Sequence, residues 1–356
     1  ALVLIATGLP MFMATLDNLV MTNALPVIRQ DLGASIEELQ WFVNAYTLAF
    51  ASFILMAVAL GDRFGRRTVF LVGIAVFTLA SVGAALSTDP TQLIVARAIQ
   101  GVGGAGIMPL SLALLSDGVP ERRRPLAIGV WGGIAGLGVA AGPLVGGAVI
   151  EGWSWQAIFW INVPFALVAL PFVLGSLRNS FGERVRLDFA GLLLSGIGVL
   201  AVVYGIVRGN DAGWGSLEVA GSLVGGAILL AAFLLWERRT PTPLLPLRLF
   251  RDRSFSIANA VGFGFSFGMF GAVFILIQFL QIVQFKTPLE AAIMTTPWTM
   301  APMIVAPLAG IFAPRVGTRA LLVAGLALQT LGLVWLAIIT QTDTSYGEML
   351  PAFIAA

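Results

Sequence analysis

GDRFGRRTVFLVG, residues 61–73, and APRVGTRALLVAG, residues 313–325, are two copies of one pattern. Arg63, Gly65, Arg67 and Gly73 of the first fall on Arg315, Gly317, Arg319 and Gly325 of the second, each 252 residues further on. Each copy follows one long apolar run and precedes another. Parallel duplication of a six-span block is a known way of building a helical membrane protein. The interval here holds eight apolar runs rather than six. Two extra helices between the halves account for the excess, and 188–236 is their natural place.

Composition agrees with a membrane setting. The 356 residues are 58% hydrophobic and 11% charged, with mean hydropathy +0.94. Soluble domains carry about 25% charged residues. A span needs about 20 mostly apolar residues. Eleven runs qualify: 1–26, 41–61, 68–87, 92–116, 125–150, 155–176, 188–207, 216–236, 255–284, 290–313 and 320–340. A twelfth opens near Met349. The chain starts within a span and stops at the opening of another, so it reads as a C-terminally truncated piece. The expected layout is a six-helix bundle over 1–178, two inserted helices within 179–240 and a partial second bundle over 241–356.

The loops fix the orientation. Five alternate connections hold 16 of the 20 Lys and Arg residues: GDRFGRR, DGVPERRRP, SLRNSFGERVR, the 237–254 segment and PRVGTR. The other side holds Arg29, Arg208 and Lys286. The positive-inside rule places the Arg-rich connections in the cytoplasm. With a net charge of +2, nothing points to nucleic acid. The chain has neither cysteine nor histidine, which removes disulfides, thiolate chemistry and the commonest metal ligand. No metal site and no catalytic group is expected, and proton chemistry falls to carboxylates.

Two charges lie inside spans. Asp17 sits within MFMATLDNLVMTNALP (11–26), roughly 14 Å below the outer membrane face by helical rise. Arg97 lies near the outer end of span four, within reach of it. Ionisable residues in a membrane are costly and point to function; the plainer alternative is a static pair that fixes helix packing. Met13 and Met21 flank Asp17 at i−4 and i+4, and Asn18 and Thr22 form a polar stripe beside them. Phe263, Phe267, Phe270 and Phe274 follow helical spacing in span nine. They read either as lipid contacts or as an aromatic wall against a lipophilic substrate.

Three glycine-bearing stretches complete the set. In GDRFGRR, Asp62 is placed to accept from Arg63, Arg66 or Arg67, or to cap span three. The cluster reads as a positive-inside turn or as a cytoplasmic latch. In GVWGGIAGLGVAAGPLVGG (129–147), Gly138, Gly142 and Gly146 are four apart and share a face that admits a second backbone. Pro143 removes a helix hydrogen bond there. GVGGAG (101–106) matches a dinucleotide fingerprint, but that motif needs a strand before it and this one lies inside a span.

Together these stretches resemble the major facilitator superfamily, and more narrowly its fourteen-span drug:proton antiporters. LDNLVMTNALP (16–26) looks like that subfamily's span-one signature, and VALGDRFGRR (58–67) like the loop 2–3 motif, with Val58 where glycine is usual. LIVARAIQGVGGA (93–105) looks like the span-four motif, with Arg97 as its basic residue. Gly129, Gly138, Gly142, Pro143 and Gly146 fit the span-five antiporter motif. WSWQAIFWINVP (153–164) is also similar, with Gln156 where arginine is common. The resemblance implies an all-α fold of two six-helix bundles with two extra central helices. It implies alternating access, with Asp17 and Arg97 serving proton coupling and no cofactor beyond the proton gradient. The partners it implies are lipophilic small molecules, cations included, together with protons and the lipid bilayer.

The sequence therefore reads as a proton-coupled multidrug exporter, monomeric and multi-pass in a bacterial cytoplasmic membrane. A uniporter or symporter of the same fold is the nearest alternative. An enzyme would need paired acids or a nucleophile–base pair within the spans, and a sensor would need a soluble effector domain.

Overall fold

Inside a bilayer every backbone N–H and C=O must find a partner within the protein, so the apolar runs fold as helices. The computed structural model describes residues 2–182, 188–241, 243–286, 288–341 and 344–355. Its helices are α1 (Leu2–Leu32), α2 (Ile36–Phe64), α3 (Arg66–Ala85), α4 (Pro90–Gly118), α5 (Arg124–Gly152), α6 (Ala157–Trp160), α7 (Asn162–Ser176), α8 (Phe189–Ala212), α9 (Leu217–Glu237), α10 (Arg253–Gln278), α11 (Pro288–Val316), α12 (Thr318–Ile339) and α13 (Tyr346–Ala355). Eleven stretches among the described residues are long and apolar enough to cross a membrane, and they match the eleven expected spans.

Several helices outrun the apolar stretch that announces them. α2 begins at Ile36 rather than 41, because Ser35 and Glu38 form a capping box that starts the helix in the polar interface. The span expected over 155–176 is interrupted at Ile161, between α6 and α7. Pro164 explains the break: it has no N–H to give the Trp160 carbonyl, and its ring crowds that group.

The helices gather into two compact units, one formed by residues 1–118 and 149–247, the other by 119–148 and 248–356. Most of α5 groups with α10–α13, and the pair α8–α9 groups with the first unit. Close backbone contact explains the placement of α5. A Cβ on Gly129 would strike the Ala306 carbonyl of α11, and one on Gly310 of α11 would lie 2.5 Å from the Pro125 carbonyl. α8 rests on α2, where a Cβ on Gly196 would lie 3.2 Å from the Ser52 carbonyl. At one end of that contact Arg208 of α8 bridges Glu37 of α2 and Glu218 of α9. The core of the first unit is built from Met13, Ala14, Tyr46, Phe70, Ile74, Phe77, Ile107, Leu110 and their neighbours. That of the second is built around Trp298, Leu336, Met349 and Phe353.

The repeat is structural as well as textual. α2 and α3 are joined by the single residue Gly65, and α11 and α12 by the single residue Gly317. Both glycines have positive φ, 101° and 88°, with ψ of 126° and 140°. A side chain is disfavoured there on backbone grounds alone. Gly65 is also crowded by the Asn179 side chain, whereas nothing lies within 4 Å of a Cβ built on Gly317. Gly317→Ala should therefore cost about 1–3 kcal/mol from backbone strain. Gly65→Ala should cost more, read as a larger fall in the thermal unfolding midpoint of the detergent-solubilised chain.

Candidate functional site

Asp17 is in the middle of α1 and is 4% exposed. Its carboxylate meets only donors. Arg97 Nη1, from α4, donates to Oδ2 at 2.6 Å. Asn162 Nδ2, from α7, donates to Oδ1 at 2.6 Å, and Gln100 Nε2, from α4, donates to the same oxygen at 3.2 Å. Ser81 Oγ, from α3, accepts from Gln100 at 2.7 Å and from Asn162 at 3.1 Å, and gives its own proton to the Phe77 carbonyl.

Arg97 is held from three directions. Nε donates to the Phe42 carbonyl at 2.9 Å, Nη1 donates also to Gln100 Oε1 at 2.8 Å, and the guanidinium lies 4.7 Å over the Tyr46 ring. Arg97, Ser81, Gln100 and Asn162 have no exposed surface. Three buried atoms of this cluster find no hydrogen-bond partner among the described residues: Arg97 Nη2, Asn162 Oδ1 and the Tyr46 hydroxyl. A pair like this adds little net stability, but losing one partner would strand a charge at a cost of about 3–5 kcal/mol.

The expected pairing of Asp17 with Arg97 is therefore present. The amides and hydroxyls around it were not anticipated. Gln100 had a readable signal, since i+3 from Arg97 puts it on the same helical face. Asn162 had a fainter one, as a lone amide in the apolar run FWINVPFA. Ser81 and Tyr46 had none, because both residue types are ordinary in membrane helices.

GVGGAG serves this site as a packing surface. A Cβ on Gly101 would collide with the Tyr46 carbonyl of α2, and one on Gly103 would lie 2.6 Å from the Phe77 amide nitrogen of α3. These glycines let α4 approach both neighbours closely enough for Arg97 and Gln100 to reach Asp17.

The expected cavity residues fall in both units. Met13 and Met21 have no exposed surface, and Met13 belongs to the core of the first unit, while Asn18 is half-buried. Phe263 and Phe267, in the second unit, are each 75% exposed, and their rings stack at 6.3 Å. With Ser266 and Gly271 they line a shallow recess of about 370 Å3. The Thr22, Pro143, Phe270 and Phe274 side chains lie outside the described residues.

At the end of the first unit that carries the Gly65 joint, Arg66 is the centre of the expected latch. It donates to Asp62 Oδ1 and to Asp117 Oδ2 of α4, both at 2.8 Å. Arg67 donates through Nη1 to the Leu177 carbonyl at 3.0 Å and through its backbone N–H to Asn179 Oδ1 at 3.1 Å. Arg63 lies over the Phe64 ring. Segment 177–182 thus wraps the Gly65 joint, with Gly182 N–H donating to the Asp62 carbonyl at 3.0 Å. In the second unit, Gly138, Gly142 and Gly146 are all buried on one side of α5, and Gly129 and Gly133 approach the α11 backbone.

Residues 8–356 match the family model described as Major Facilitator Superfamily. The chain belongs to the Major Facilitator Superfamily. It is an all-α, multi-pass membrane protein of a transporter family rather than an enzyme. It is 39% identical over 337 residues to the Multidrug resistance protein Stp of Mycobacterium tuberculosis, covering 94% of this chain and 63% of that one. It is 35% identical to the Tetracenomycin C resistance and export protein of Streptomyces glaucescens, covering 97% and 64%. The fold is like that of the proton:xylose symporter XylE, with TM-score 0.69, 14% identity and coverage of 99% and 78%. The chain thus spans less than two thirds of the length of these two curated relatives.

Within α5 the packing makes a controlled comparison possible. Gly129→Ala should lower the thermal midpoint by an amount equivalent to about 1–3 kcal/mol, because the new methyl meets backbone. Gly147→Ala, on the same helix with nothing within 4 Å, should be neutral or stabilise by up to about 1 kcal/mol. Equal losses at both positions would contradict the close approach of α5 and α11.

Proposed function

We propose that the chain is the larger part of a proton-coupled multidrug exporter of the fourteen-span antiporter group, working by alternating access in a bacterial cytoplasmic membrane. One observation carries the reading: a buried acid in the middle of a span is paired with arginine inside a shell of donors. Its carboxylate accepts from Arg97, Gln100 and Asn162, so a proton is taken up there only when a rearrangement loosens that shell. A site whose proton affinity depends on conformation is what coupling requires.

In the outward-facing state Asp17 takes a proton and Arg97 keeps its contacts to Phe42 and Gln100. In the inward-facing state Asp17 releases the proton and returns to Arg97. Export of a lipophilic small molecule, cations included, accompanies that cycle. The names of the relatives support antibiotics and other drugs as the substrate class. The repeat halves are 1–178 and 241–356, with 179–240 inserted between them, and the working unit is a monomer. Asp62, Arg63, Gly65, Arg66 and Arg67 act as a cytoplasmic gate rather than as substrate contacts. Individual exposed pairs there are worth about 0–1 kcal/mol, so they hold only in concert and open readily.

The test uses the full-length protein in a pump-deficient bacterium and in proteoliposomes. Asp17→Asn should abolish proton-driven efflux of ethidium while the protein is still made and inserted, and Asp17→Glu should keep part of it. Normal proton-driven efflux by Asp17→Asn would refute the assignment. At the gate, Asp117→Asn should slow turnover with little change in substrate affinity, because it removes one of the two carboxylates that Arg66 bridges.

A further inference from the structure

Every neighbour of Asp17 presents a hydrogen to it, which suits the ionised carboxylate. A protonated Asp17 needs the opposite: an acceptor for its own O–H. The shell contains few candidates. Ser81 is saturated, accepting two hydrogen bonds and donating its proton to Phe77. Gln100 is locked. Its oxygen accepts from Arg97, and its two N–H groups serve Asp17 and Ser81. Turning that amide over would set an NH2 group against a guanidinium. Arg97 has no acceptor at all.

Asn162 differs. Its Nδ2 serves Asp17 and Ser81, but its Oδ1 makes no hydrogen bond to the protein. Rotating the amide about χ2 therefore breaks the two bonds made by Nδ2 and none made by that oxygen; this torsion is broad and two-fold. After rotation, Oδ1 faces Asp17 as an acceptor. Ser81 loses the 3.1 Å bond but keeps the shorter one from Gln100.

We infer that Asn162 is a positioning residue whose amide turns over with the proton on Asp17, donating to the carboxylate and accepting from the acid. The inference rests on the assignment of the coupling proton to Asp17. The titratable and charged groups that face Asp17 among the described residues are Arg97 from α4 and Tyr46 from α2. α3 and α7 bring only the neutral Ser81 and Asn162. Asn162 opens α7, directly after the break at Ile161, so the proton state of α1 is felt at the start of a helix from another part of the chain.

A fixed donor and a switching amide predict different titrations. A fixed donor stabilises only the ionised form, and its removal makes protonation easier, so the midpoint rises. A switching amide stabilises both forms, and its removal leaves the midpoint nearly where it was. The full-length protein in lipid nanodiscs is titrated by infrared spectroscopy, following the carbonyl band of a buried protonated carboxyl that Asp17→Asn lacks. Gln100→Leu should raise the midpoint by about one pH unit. Asn162→Leu should move it by less than about 0.3 unit while proton-driven ethidium efflux is lost. Asn162→Thr, whose hydroxyl donates or accepts, should keep the midpoint and recover part of the efflux; it also carries the test if the leucine variant does not fold. A rise for Asn162→Leu or Asn162→Thr like that of Gln100→Leu overturns the switch but leaves Asp17 as the proton site. A titrating band that survives in Asp17→Asn overturns the proton assignment and the switch with it.

Discussion

The first unit is organised around one demand: a carboxylate and a guanidinium placed in hydrocarbon must be matched by partners on every side. Asp17 and Arg97 obtain theirs from α1, α2, α4 and α7, and Ser81 of α3 accepts from the two amides of that shell. The ion pair therefore acts less as a source of net stability than as a rule of assembly. Any displacement of one of these helices leaves a charge or an amide without a partner, and the penalty inside a membrane is large.

Close packing makes that shell possible. Arg97 and Gln100 reach Asp17 only because Gly101 and Gly103 bring the α4 backbone against α2 and α3. The second unit uses the same device with another pair, through Gly129 of α5 and Gly310 of α11. Small residues in membrane helices are here the condition for polar contact as well as a means of adhesion. Val58 stands where the repeat would place a counterpart of Gly310, so the two halves differ at that point.

The sequence revealed the spans, the duplication and the pairing of Asp17 with Arg97, because each is written in local composition or in a strict interval. Membrane helices announce themselves through unbroken apolar runs, and charges within them are rare enough to stand out. Helix ends were less readable: Ser35 and Glu38 extend α2 beyond its apolar stretch through a local hydrogen-bond pattern. The shell of the site was legible only in part. Gln100 follows from helical spacing, but nothing local says that Asn162 lies beside Asp17, 145 residues away in sequence. Met13 shares a face with Asp17, and that face is turned into the core of the first unit. The grouping of α5 with α11 was hidden for the same reason, since it depends on which helices meet.

The one-residue joints at Gly65 and Gly317 carry a mechanical consequence. A loop of several residues acts as slack, letting two helices slide or twist against each other before either pulls on the other. A joint of one residue has no slack. α2 with α3, and α11 with α12, are each coupled like two arms of a bell crank, so a tilt imposed on one arm at its far end is delivered to the other without loss. The segment 177–182, fastened across the first joint, stiffens that crank further.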